Sequence, residues 1–321
     1  MNAYGRRGAF LVVAALLCSP ALDVLSEPNG GSTSTWSTPV NMGMPINTTM
    51  NDVGAVLSRN GLSLYMHTNR DGGLGMNDLW VAQRDCKTCP WKPPVNLGPV
   101  INTPENDGGA NFTPDGKTMF FNSRRPGGFG GNDLYVTHRE DPCDDFGWGP
   151  PVNLGSDVNT AEDEERVSYS PKEDAIYFAR GANNQNRANI WIAPITKDGV
   201  TLGFATEVTE LNHPTVNDGG ATVRRDGKEI IFWSNRATPQ GDLFVSTRQH
   251  RKDPWSTPQI IPELNSPASE IAATLSWDAR TVIITSNRTG SLGAMDFWMS
   301  TRSKGDDEDD DDDDDQQCAA R

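Results

Sequence analysis

Residues Glu105–Arg139 read ENDGGANFTPDGKTMFFNSRRPGGFGGNDLYVTHR. Three short apolar runs lie within it: Gly109–Thr113, Thr118–Asn122 and Leu134–Thr137. Pro114-Asp115-Gly116 separates the first two, and the Gly-rich loop Pro126–Gly131 separates the second and third. Runs this short, bounded by Gly, Pro and Asn, read as strands rather than helices. Pro presets φ for a turn and Gly accepts φ > 0, so Pro-Asp-Gly turns the chain sharply. The stretch therefore reads as an antiparallel three-stranded meander.

The rest of the chain repeats it. A motif of an aromatic, two residues and Pro, followed in most copies by Leu or Met, begins at Trp36, Trp91, Trp148, Phe204 (degenerate) and Trp255. After each comes a strand, a turn, a second strand, a polar loop and a third strand carrying an aromatic. The third strands align as Asp78–Val81, Asp133–Val136, Asn189–Ile192, Asp242–Val245 and Asp296–Met299. The first turns align as Arg59–Gly61, Pro114–Gly116, Pro171–Glu173, Arg225–Gly227 and Trp277–Ala279. Five copies of a four-strand unit predict an all-β fold, a five-bladed β-propeller of four-stranded antiparallel blades. The chain starts with a fourth-type strand (about 36–43) and stops after a third-type strand. The ring is therefore expected to close by pairing that N-terminal strand in the last blade, which leaves no free edge.

The chain has 321 residues, 31 of them Gly and 22 Pro, which suits a turn-rich β fold with one sizeable core. The net charge is −15, but ten acidic residues form the single run Asp306–Asp315, and the remainder carries only −5. No basic stripe is present, so a nucleic-acid partner is not expected. Arg6 and Arg7 precede the apolar run Ala9–Cys18, with cleavage motifs at Ser19–Ala21 or Val24–Ser26. This reads as a secretory signal over 1–26, followed by a disordered leader over 27–34, a propeller over 35–303 and a disordered Asp-rich tail over 304–321. A periplasmic or extracellular location follows. Membrane association would need either an uncleaved signal or lipidation at Cys18, and the bulky Leu17 before it fits lipidation poorly. In an oxidising compartment Cys86 and Cys89 read as a local disulfide, with a pairing of either to Cys143 left open.

The sequence Phe112–Phe121 (FTPDGKTMFF), followed by Ser123-Arg124-Arg125 and Asn132–Val136, resembles the PD40 repeat, the WD40-like propeller repeat of TolB-like proteins. The resemblance spans roughly 36–302. It implies a propeller of the bacterial envelope that binds a protein or ligand, and it implies no reaction. TolB-like propellers usually have six blades, against five here, and no peptidoglycan-binding domain accompanies the repeats, so a TolB partner does not carry over.

Aligning the repeats brings out three sets of polar residues on the face formed by the d–a and b–c loops. The first, Asp52, Asp107, Glu164, Asp218 and Glu270, opens the innermost strands and should ring the channel mouth. The second is Arg70, Arg125, Arg180 (one residue out of register), Arg236 and Arg288. The third is Asp78, Asp133, Asn189, Asp242 and Asp296. Two carboxylates ~8 Å apart at an effective dielectric of ~20 repel by about 2 kcal/mol, so a ring of five needs compensation. Bidentate Arg pairs supply it, and an Asp–Arg–Asp network within each blade is the structural reading. The functional reading is a mouth that takes a cation or cationic group. Calcium is the ion such oxygens would suit, although no Asp-x-Asp-x-Asp-Gly loop is present.

Departures from symmetry concentrate in the third repeat: the charged strand start Glu162–Glu165, the Asn/Gln-rich Gly181–Asn186 and Arg187. Such groups suit a peptide or glycan. No GxSxG or HExxH occurs, and the four His (His67, His138, His213, His250) lack metal-ligand spacing. No catalytic residue, cofactor or metal is assigned. The chain reads as a non-enzymatic, exported binding module recognising an envelope protein or a polar ligand. One alternative is a five-bladed glycoside hydrolase working through a carboxylate pair. The other is a structural envelope protein with a cation-binding tail.

Overall fold

The computed structural model describes Met1 and residues 35–181 and 187–303. The expected signal, leader and acidic tail lie outside the described residues, as does most of Gly181–Asn186. Among the described residues no helix is long and apolar enough to cross a membrane.

The chain opens with β1 (Val40–Asn41) and then builds each blade from consecutive strands. Blade one is β2 (Asp52–Leu57), β3 (Ser63–Thr68), β4 (Asp78–Gln83) and β5 (Val95–Asn96). Blade two is β6 (Asp107–Phe112), β7 (Thr118–Ser123), β8 (Asp133–His138) and β9 (Val152–Asn153). Blade three is β10 (Asp163–Ser170), β11 (Ala175–Gly181), β12 (Asn189–Pro194) and β13 (Thr206–Glu207). Blade four is β14 (Asp218–Val223), β15 (Glu229–Ser234), β16 (Asp242–Thr247) and β17 (Gln259–Ile260). β18 (Glu270–Leu275), β19 (Thr281–Ser286) and β20 (Asp296–Thr301) then form blade five, whose outer strand is β1.

All ladders are antiparallel, and the closing pair sets Val40 opposite Met299 and Asn41 opposite Trp298. Ser37 and Met42 extend that pairing, donating to the carbonyls of Thr301 (2.8 Å) and Phe297 (3.0 Å). The ring therefore closes through the N-terminal strand, which removes the sheet edge that blade five would otherwise expose.

The tight turns put a residue at positive φ just before each second strand: Gly61, Gly116, Asp174, Gly227 and Ala279. Blade three lacks Pro-Asp-Gly, and its left-handed residue is Asp174, one position later than the repeat alignment places it.

Apolar residues form five layers, one between each pair of adjacent blades. Val56, Tyr65 and Leu79 of blade one meet Met119, Phe121 and Tyr135 of blade two. Ile46, Met66 and Trp80 close the ring against Ile283 and Phe297. Tyr65, Phe120, Phe121, Tyr177, Phe178, Phe232 and Phe297 are fully buried. Each such side chain contributes about 1.5–3 kcal/mol on removal from water. The large apolar residues are thus used up between blades.

Candidate functional site on the loop face

The acid that opens each inner strand is turned inward. The carboxylates of Asp52, Asp107, Glu164, Asp218 and Glu270 have zero exposure. Each pairs with the Arg of its own blade: Arg70 to Asp52 at 2.8 Å, Arg125 to Asp107 at 3.0 Å, Arg180 to Glu164 at 2.8 Å and Arg288 to Glu270 at 2.9 Å, with Arg236 close on Asp218. The same guanidinium groups donate to carbonyls of the preceding d–a turn, those of Ile46, Ile101, Val158, Leu211 and Leu264. The far carboxylate oxygen accepts from the backbone of Thr48, Thr103, Thr160, His213 or Ser266. Every oxygen of the five acids is hydrogen-bonded, so the first two sets clamp the d–a turn to the end of the second strand. Burial pushes the Glu164 carboxyl up, while its bonds from Thr160 and the charge of Arg180 pull it down.

Arg180 differs from its counterparts by more than the one residue the alignment suggests. It stands directly across from Glu164, where sister blades have Thr68, Ser123, Ser234 or Ser286. The third set is not joined to the Arg groups by these bonds. Asp133 accepts from Phe129 N (2.6 Å) and Asn153 Nδ2 (2.9 Å), and Asp296 from Leu292 N (2.7 Å) and Asn41 Nδ2 (2.8 Å). Asp78 likewise holds Leu74 N and Asn96, Asn189 donates to Glu207 (2.6 Å), and Asp242 accepts from Thr238 (2.7 Å). These residues brace the b–c loop or strand d. A continuous Asp–Arg–Asp network is replaced by two separate clamps per blade.

A further Asn set escaped the repeat reading. Asn47, Asn102, Asn159, Asn212 and Asn265 each accept from a backbone N–H in the third strand and donate to a carbonyl there, as Asn102 does with Leu79 at 2.8 and 2.9 Å. The signal was present in the recurring Asn41/Asn47, Asn96/Asn102 and Asn153/Asn159 spacing.

The axis itself is asymmetric. Each inner strand carries a bulge, and its extra residue has φ near +60° at Gly54, Gly109 and Gly220. Blade three puts Arg166 there at φ 57°, a conformation that non-Gly residues rarely take. Its guanidinium reaches across the axis to the carbonyl of Ile271 in blade five at 2.7 Å. His67 faces it, its Nδ1 accepting from Gly109 N at 3.2 Å. Burial holds the His67 imidazole down at about 3, and the Arg166 charge acts in the same direction. Arg166, His67 and the bulge glycines border a cavity of about 40 Å³, room for a water molecule or two.

Above it a line of side-chain amides crosses blades one and two and ends on carboxylates of blade three. Asn77 donates to Asn106 (2.7 Å) and Asn106 to Asn132 (3.0 Å). Asn132 Nδ2 donates to both Glu165 and Asp163, the latter at 3.2 Å. Asp163 also accepts from Asn132 N (2.6 Å) and Arg124 (3.1 Å). The charged strand start of blade three thus supplies two carboxylates that converge on one nitrogen beside Arg166. Cys86 and Cys89 are joined by a disulfide in a c–d loop, remote from this face. Among the described residues no group of three or more His, Cys, Asp or Glu is placed to hold a metal ion.

Neither a protein-family model nor a curated protein matches the chain. Solved structures do. An α-L-arabinofuranosidase from Lactobacillus brevis is similar at 14% identity and a TM-score of 0.54, over 81% of this chain and 92% of that one. An endo-arabinase from Bacteroides thetaiotaomicron is similar at 15% identity and a TM-score of 0.53, over 84% and 99%. A putative TolB from Agrobacterium tumefaciens gives 15% identity and a TM-score of 0.48, over 76% and 72%. The repeat resemblance has no family model behind it. At such identities the likeness is one of fold. It nevertheless overturns one expectation: the sequence reads as non-enzymatic, but the same fold is that of an α-L-arabinofuranosidase and an endo-arabinase, so the fold gives no ground for excluding a reaction.

Proposed function

We propose that the protein is an exported glycan-acting propeller of the glycoside hydrolase kind, with its site on the loop face above blade three. The observation that carries this reading is the convergence of Asp163 and Glu165 on Asn132. Two oxygens within hydrogen-bonding reach of one nitrogen lie closer than the ~6.5–9.5 Å that an inverting hydrolase leaves for its water. That closeness leaves the ~5–5.5 Å arrangement of a retaining pair as the one of the two geometries open to them. In that chemistry one protonated carboxyl gives its proton to the leaving glycosidic oxygen while the other bonds to the anomeric carbon; water then completes the cycle. Asp163, fixed by three donors, is assigned the nucleophile's place, and Glu165, held by one, the acid's. The amide line Asn77–Asn106–Asn132 offers donors and acceptors of the kind sugar hydroxyls require.

Turnover by the full chain on a panel of aryl-glycosides (arabinofuranosides included) and polysaccharides tests the reading. Asp163→Asn and Glu165→Gln should each lower kcat by a factor of about 10²–10⁴ with little change in melting temperature. Absence of turnover on every substrate, or turnover indifferent to both substitutions, rejects it.

A further inference from the structure

On the opposite face, where the ring closes, a cavity of about 510 Å³ opens between blades five and one. That is the size of a small-ligand site. Its walls include Arg59, Arg84, Arg225, Trp91, Trp277 and Thr281.

The other blade joints show what is missing here. On this face an Arg following the third strand stacks on the Trp of its c–d loop: Arg84 on Trp91 (4.2 Å), Arg139 on Trp148 (4.3 Å), Arg248 on Trp255 (3.9 Å) and Arg302 on Trp36 (4.5 Å). Each donates through Nε to the carbonyl of the tight turn, at Gly61, Gly116, Gly227 and Ala279. Three of the four also meet a carboxylate. Arg139 takes Asp145 (3.2 Å), Arg248 takes Glu173, and Arg302 takes Glu229 of the neighbouring blade (2.8 Å). Arg84 has no such partner among the described residues. In blade five the position equivalent to Glu229, the first residue of the second strand, is Thr281. Arg84 is half-buried, and burial lowers its pKa. Beside it Trp277 lies between Arg59 (5.1 Å) and Arg225 (5.8 Å), with its buried indole nitrogen unpartnered.

We propose that this pocket binds a carboxylate carried on a ring with an apolar face, of which a uronic acid is the sugar form. The ligand's carboxylate takes the place that Asp145, Glu173 and Glu229 fill at the other joints, in the bidentate geometry guanidinium favours. Its ring face lies against the pocket's indoles. The site is on the face away from Asp163 and Glu165 and does not rest on the hydrolase reading.

Calorimetric titration of the full chain with galacturonate and with neutral galactose is the first arm. Galacturonate should bind at least tenfold more tightly. Thr281→Glu restores the missing internal acid and should abolish that binding while holding or raising the melting temperature, so loss of fold cannot mimic the result. The acidic run Asp306–Asp315 starts shortly beyond Thr301, which lines the pocket. A chain ending at Ser303 is therefore the second arm. Equal affinity in both chains supports the proposal. A gain of tenfold or more on truncation assigns the pocket to the chain's own aspartates and overturns it, as does galacturonate binding that is absent or untouched by Thr281→Glu.

Discussion

Asp145 sits at the joint of blades one and two, where it accepts from Ser63 Oγ (2.6 Å), Tyr65 Oη (2.6 Å), Gln83 Nε2 (2.7 Å) and Arg139 Nη1 (3.2 Å). Removing it strands a buried guanidinium and several donors. Asp145→Ala should cost about 3–5 kcal/mol, read as a fall in the urea midpoint. His67 makes a second prediction. The unfolded chain takes up a proton near pH 6.5, but the folded imidazole resists it down to about 3. Its contribution to stability is therefore whole above pH 6.5 and drains away as pH falls from 6.5 towards 3. The channel admits some solvent, so roughly 1–3 kcal/mol is the expected loss. His67→Gln should flatten the acid limb of a stability–pH curve; identical limbs would exclude this role. Neither residue was assigned a role from sequence. Asp145 belongs to a variable loop with no repeat partner, and His67 is one of five different residues at its position, so repetition could not flag either.

At the level of the strand, the bulge on each inner strand decides what the axis holds. A Cβ on Gly54 would meet His67 Cε1 at 2.5 Å, and its φ of 61° already disfavours a side chain. Gly54→Ala is expected to destabilise by roughly 1–3 kcal/mol. Arg166 occupies the same conformation with a long side chain, so Arg166→Gly relieves backbone strain worth about 1 kcal/mol and gives up one bond to Ile271. Melting temperature should hold or rise, while activity or glycan binding on the loop face falls. If both are unchanged, Arg166 has no part in the site. Strand order, the tight turns and the Asp–Arg pairing were legible because each recurs five times. The bulges were not, because Gly54-Ala55 and Gly109-Ala110 read as ordinary strand residues until the register shift between Val53 and Val56 is seen. The convergence of Asp163 and Glu165 on Asn132 joins two blades, and no spacing within one repeat encodes it.

Taken whole, the molecule is a ring of five similar units whose core is divided among five joints. Four joints form between blades already joined by a short connection. The fifth depends on β1 and on Ile46 lying against Phe297. A chain lacking residues up to 43 should expose β20 as an edge, melt lower and aggregate on heating; an unchanged melting temperature by calorimetry would show that closure contributes nothing. The closure has a further consequence for how the molecule comes into being. Ser37 and Ser300 share a hydrogen bond across 263 positions. The first strand of the ring must wait for its last, so on the ribosome the ring stays open until blade five has been made. Folding is then dominated by a single long-range closure, which puts it among the slower topologies. Through that interval the nascent chain is the form exposed to proteases, chaperones and any translocation machinery.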